Sequence, residues 1–82
     1  MKIKYFSWIK DITKKDNEEI TNNKINDLKS LKKFLSKRYP NLQDHLIKDD
    51  ILRIAVNLEY ISKNKKINSK DIIAIFPPVS GG

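Results

Sequence analysis

No cysteine occurs among the 82 residues, which excludes a disulfide framework, a thiolate metal site and a cysteine nucleophile. Glycine is nearly as scarce. The only two are Gly81 and Gly82, so no glycine-rich loop exists to cradle a phosphate. His45 is the single histidine, and none of the six serines lies near it in sequence. Neither a catalytic triad nor a histidine-based metal centre can be assembled from such a set. His45 reads as a surface loop residue, and the adjacent Asp49 and Asp50 as turn caps. Long apolar runs are missing too: none approaches the roughly 18 residues that cross a bilayer. The opening MKIKYFSWIK lacks the apolar stretch and small-residue cleavage site of an export signal. A cytoplasmic, soluble domain is expected, with no membrane partner.

What the chain does have is lysine. Fifteen lysines and two arginines stand against ten acidic residues, giving a net charge of +7. A basic balance invites a nucleic-acid reading. However, lysine, isoleucine (13) and asparagine (8) dominate together, and all three are encoded by A/T-rich codons. Base composition then explains the excess, and arginine, the usual choice for bidentate base and phosphate contacts, is nearly absent. The charge reads as a solvated lysine surface, with no nucleic acid as partner. A chain this short buries only roughly 60–65% of its unfolded surface. It holds one modest core and no deep active site, so any catalytic pocket belongs to a partner.

Periodicity supplies the elements. KIKYFSWI alternates, with Ile3, Tyr5 and Ser7 on one side and Lys4, Phe6 and Trp8 on the other, which predicts a strand. KDITKKDN is a polar connection with one helical turn. EEITNNK is a weaker strand anchored by Ile20. In NDLKSLKKFLSKRYP, residues Leu28, Leu31, Phe34, Leu35 and Tyr39 recur at helical spacing. Asn26 is the expected N-cap, Asp27 suits the first turn, and Pro40 stops the helix. NLQDHLIKDD is a polar link with Leu42, Leu46 and Ile47 tucked inward. ILRIAVN is a strong strand, turning at Asn57 into LEYIS. A polar loop pinned by Ile67 leads to the last strand, IIAIF. Strands grouped around one helix, without βαβ alternation, predict an α+β fold with a mixed sheet.

Because the side chains offer no active site, the terminal IFPPVSGG draws the reading to the Gly82 α-carboxylate. Pro77 and Pro78 have no N–H and cannot extend the strand ladder. They favour polyproline II, so the chain leaves the sheet as a stiff stalk. Val79 can anchor in an apolar slot, Ser80 is small, and Gly81 and Gly82 are slim enough to thread a narrow channel. The five residues from Pro78 reach roughly 16 Å, enough to enter another protein's active site.

FPPVSGG at the end of a chain of this length resembles the small, sulfur-carrying subunit of molybdopterin synthase. The resemblance continues upstream through LRIAVNLEYI, KDIIAIFPPVSGG and KIKYFSWIKDI, and so covers most of the chain. It implies a ubiquitin-like β-grasp fold, with residues 1–76 as the domain and 77–82 as a flexible tail. It also implies a chemistry. An adenylyltransferase of the ubiquitin-activating type uses ATP to activate the terminal carboxylate, and a sulfur donor converts Gly82 to a thiocarboxylate. The tail then enters the large synthase subunit and donates sulfur to cyclic pyranopterin monophosphate. Two small and two large subunits form the heterotetramer. The small chain binds no cofactor and is not itself an enzyme. Gly82 carries the reactive group, Gly81, Ser80, Val79, Pro78 and Pro77 fill the partner's channel, and Phe6, Tyr60 and Phe76 form the docking patch. The family commonly has Gly-Asp before the last strand, where this chain has Lys70-Asp71, which puts a left-handed turn there in question. Two alternatives remain: a carrier serving thiazole synthesis, tRNA thiolation or protein conjugation, and a small basic nucleic-acid-binding domain.

Overall fold

In the computed structural model, which describes residues 1–78, the first alternating stretch forms β1 (Lys2–Tyr5). Ile3 and Tyr5 are buried and Lys4 is exposed. The strand is shorter than the alternation suggests, because Ser7 adopts a left-handed φ of 57° and turns the chain into the short helix α1 (Ile9–Thr13). Lys14, also left-handed at 64°, ends that helix and returns the chain through β2 (Asn17–Glu19).

The long helix α2 (Leu28–Arg38) lays Leu28, Leu31 and Leu35 into the core, with Phe34 and Tyr39 half-buried at its margin. Its N-cap is Asp27 and not the expected Asn26. Asp27 has an extended backbone, and its carboxylate accepts from the Ser30 N–H at 2.8 Å. The Ser30 hydroxyl in turn accepts from the Asp27 N–H at 3.1 Å, completing a capping box. Asn64 donates to the same carboxylate at 3.2 Å, tying the helix start to a loop far along the chain. Asp27→Ala is therefore expected to lower the melting temperature by roughly 4–8 °C. An unchanged thermal melt would show that the cap is dispensable.

After α2 the chain makes a 3₁₀ turn (Pro40–Leu42) and a π turn (Asp44–Lys48). Leu42 and Leu46 are fully buried, but Ile47, expected to tuck inward, is 51% exposed. The wide turn brings only one of two consecutive apolar residues onto the core. Strands β3 (Arg53–Val56) and β4 (Glu59–Ile61) form a hairpin whose two turn residues, Asn57 and Leu58, have φ of 52° and 69°, as a type I′ turn requires. The last strand is β5 (Ile72–Phe76).

The sheet order is β2-β1-β5-β3-β4, with β1 and β5 parallel and the other pairs antiparallel. This is the mixed sheet expected, with α2 across one face. The inner faces of β1, β5 and β3 bury Ile3, Tyr5, Ile73, Ile75, Ile54 and Val56 beneath it. Each such side chain contributes about 1.5–3 kcal/mol of burial. Lys70 has no left-handed turn. The Asp71 carboxylate closes that loop instead, accepting from the Asn68 N–H at 2.8 Å and from the Asn57 side-chain amide at 2.9 Å. Those bonds hold the Asp71 carboxyl below the usual carboxylate range, the Asn68 N–H contributing most.

Candidate functional site

Face alternation decides what the other side of the sheet displays. With Ile73 and Ile75 turned to the core, Ile72, Ala74 and Phe76 of β5 face outward beside Ala55 of β3 and Tyr60 of β4. Phe6 follows β1 directly, and its N–H donates to the Ile75 carbonyl at 3.1 Å. The Phe6 and Phe76 rings meet edge-to-face with centroids 6.2 Å apart, and Tyr60 meets Phe76 at 5.4 Å. Ala55 and Ala74, paired across the strands, are small enough to let Tyr60 lean toward Phe76. The structure thus brings Phe6, Tyr60 and Phe76 into one row. Phe6 is 45% and Tyr60 71% exposed, a contiguous aromatic surface of the kind that marks an interaction site.

The row lies where the sheet gives way to Pro77 and Pro78. β5 ends at Phe76, Pro77 is half-buried and Pro78 is exposed. Pro78, Phe76 and Tyr60 border a hollow of about 500 Å³ floored by Leu28, Leu52, Ile54 and Ile61. Arg53, the cross-strand partner of Phe76, stands exposed at its rim. Val79, Ser80, Gly81 and Gly82 lie outside the described residues. His45 is half-buried, not a surface residue as expected. The π turn presses its ring against Trp8, with centroids 4.9 Å apart, and its Nδ1 is buried with no hydrogen-bond partner among the described residues. Asp49 does follow the π turn, its N–H donating to the Asp44 carbonyl at 2.7 Å.

One cluster escaped the sequence reading. Glu18 of the edge strand β2 points into the core, and its side chain is only 7% exposed. Its carboxylate accepts from the Tyr5 hydroxyl at 2.6 Å and from the Tyr39 hydroxyl, and pairs with Arg38 at 2.8 Å and Lys15 at 3.7 Å. Burial alone would raise the Glu18 pKa. The two phenol donors and two cations outweigh it and hold the carboxyl below its usual value. Burial, with the Glu18 charge beside it, pushes the Tyr5 phenol far up. A signal was present: Glu18 lies two residues from Ile20, and on a strand that spacing shares a face.

A mixed five-stranded sheet with first and last strands parallel at its centre, crossed by one helix, defines a ubiquitin-like β-grasp protein. Residues 3–82 match the ThiS family, and the chain belongs to that family. It is 38% identical over 91 aligned residues to the molybdopterin synthase sulfur carrier subunit of Dictyostelium discoideum, covering 99% of this chain and 94% of that protein. Among solved structures, a Pyrococcus furiosus chain provisionally described as molybdopterin converting factor subunit 1 superposes with a TM-score of 0.80 at 28% identity, covering 95% of each. A Helicobacter pylori complex of subunits 1 and 2 of molybdopterin-converting factor matches with a TM-score of 0.67 at 29% identity, covering 99% of this chain and 96% of that one. SAMP1, a small archaeal modifier protein, from Haloferax volcanii shares the fold alone, with a TM-score of 0.81 at 21% identity over 99% of this chain and 97% of that one.

Proposed function

We propose that this chain is the sulfur carrier subunit of a molybdopterin synthase, acting through a thiocarboxylate on Gly82. The observation that carries the reading is the 38% identity to a curated carrier subunit along 99% of the chain. The aromatic row at the root of the tail supports it, because a carrier needs a surface that seats it while its end reaches elsewhere. An activating enzyme transfers AMP from ATP to the carboxylate and releases pyrophosphate, turning a poor electrophile into a mixed anhydride. A sulfur donor then displaces AMP. In the large subunit, the thiocarboxylate sulfur attacks cyclic pyranopterin monophosphate, and two such transfers build the dithiolene. This chain supplies the reactive end and its positioning, while the proton transfers fall to the large subunit.

The test is the intact mass of protein purified from its own cells, where a fraction carrying sulfur in place of one oxygen is expected. Recovery only as the unmodified chain, or joined through its end to lysines of other proteins, would sink the reading. Phe76→Asp checks the docking row. Phe76 is half-buried and flanked by exposed rings, so affinity for the large subunit is expected to fall about a hundredfold, as for a buried aromatic anchor. The melting temperature should shift by only a few degrees. An equal loss of both would assign Phe76 to the core.

A further inference from the structure

We propose a second interaction surface, on the α2 side of the molecule, that takes an acidic segment with aliphatic side chains from the partner receiving the tail. Only the choice of partner rests on the carrier reading.

The hollow beside Pro78 does not end at the sheet. Its far wall is formed by Lys32 and Asp50, which pair at 2.8 Å. The same two residues wall a second hollow of about 370 Å³ between α2 and the π turn, floored by Leu46 and Ile47 and edged by Lys29 and Lys33. The two hollows adjoin across that ion pair and run from the tail root to the exposed Ile47.

The α2 wall of this trough carries charge of one sign. Lys29, Lys33 and Lys37 are exposed and recur every fourth residue of α2, and no acidic residue interrupts Leu28–Arg38. Like charges at that spacing repel. Among the described residues, Lys29, Lys33 and Lys37 make no ion pair, while Lys32 beside them is paired with Asp50. An acidic segment lying across them relieves the repulsion, while its aliphatic side chains cover the exposed Ile47. An apolar floor and the Asp50 carboxylate suit a protein segment better than a phosphate backbone. The trough also continues from the aromatic row, so one partner can occupy both.

The experiment titrates the ¹⁵N-labelled full chain with a synthetic peptide of glutamates interspersed with leucines. An all-glutamate peptide, a single-stranded DNA oligomer and anionic phospholipid vesicles are titrated in parallel. Amide shifts are expected in residues 28–33, 46–50 and 52–54, with about tenfold weaker binding of the all-glutamate peptide. Lys29→Glu/Lys33→Glu and, separately, Ile47→Ser should each weaken the leucine-containing peptide about tenfold with unchanged melting. Deleting Gly82 tests the carrier reading and should leave this titration unmoved. The proposal is overturned if the shifts scatter over the surface, if both peptides bind equally, if neither variant matters, or if DNA or vesicles bind in preference.

Discussion

A chain lacking Gly82 is expected to melt where the full chain melts and to transfer no sulfur. The two halves of that result have separate causes. The core is complete by Ile75, and β5 ends at Phe76, so removing residue 82 deletes no described packing. The proposed chemistry depends on placing one carbonyl carbon. The shortened chain still ends in a carboxylate, but one that falls roughly 3.3 Å short. Misplacement of even 1 Å costs about a hundredfold in a positioned reaction. The measurement is conversion of cyclic pyranopterin monophosphate by the reconstituted large subunit, after incubation with activating enzyme, ATP and sulfide, beside a thermal melt. Sulfur transfer surviving the deletion would end the carrier reading. A lowered melting temperature would instead show that the tail helps hold the fold.

Glu18→Ala is expected to cost more stability than loss of the Asp27 cap or replacement of Phe76. It strips the Tyr5 and Tyr39 hydroxyls of their common acceptor and Arg38 of its partner. Breaking a buried hydrogen-bonded charge costs about 3 kcal/mol, which for a domain of this size lowers the melting temperature by roughly 12–24 °C. Glu18→Gln keeps the shape and should lose less. The sign of the pH dependence follows from the depressed Glu18 pKa. Stability from the ionised carboxylate is fully present above the unfolded-state value and drains away as pH falls through the lower folded value. Glu18→Gln should therefore flatten the acid limb of the stability curve, with Asp27 and Asp71, both also depressed, supplying what slope remains. Denaturant melts across that limb decide it, and parallel curves for wild type and Glu18→Gln would show that the network contributes nothing through charge.

How far the sequence speaks depends on whether a feature is local. Ile3 and Tyr5 are legible as one face of β1, with Lys4 on the other, because strand alternation assigns faces without reference to the rest of the chain. Phe6, Tyr60 and Phe76 came from resemblance, since their convergence needs three strands in register. Ser7 hid its left-handed turn because nothing about serine demands one. Asn26 and Asp27 are equally good caps, and only the Ser30 hydroxyl, reaching back, separates them. Ile47 and His45 are misplaced together, because a stretch that reads as a polar link folds into a wide turn that sets which of its side chains face the core. The Glu18 cluster joins β1, β2 and the end of α2, so no window of sequence contains it.

The parallel pairing of β1 with β5 also governs when the molecule can form. The strand at the centre of the sheet, Ile72–Phe76, is contributed by the last part of the sequence. A growing chain holds β1, α2 and the β3–β4 hairpin long before it holds the strand that joins them. Pairing the start of the sequence with its end gives contacts of long sequence separation, which slows folding. Completion of the fold therefore waits for residues 72–76, and the tail begins at the next residue. Translation interrupted before that point yields a chain without β5, in which the sheet is open and Phe6 and Tyr60 have no Phe76 ring between them.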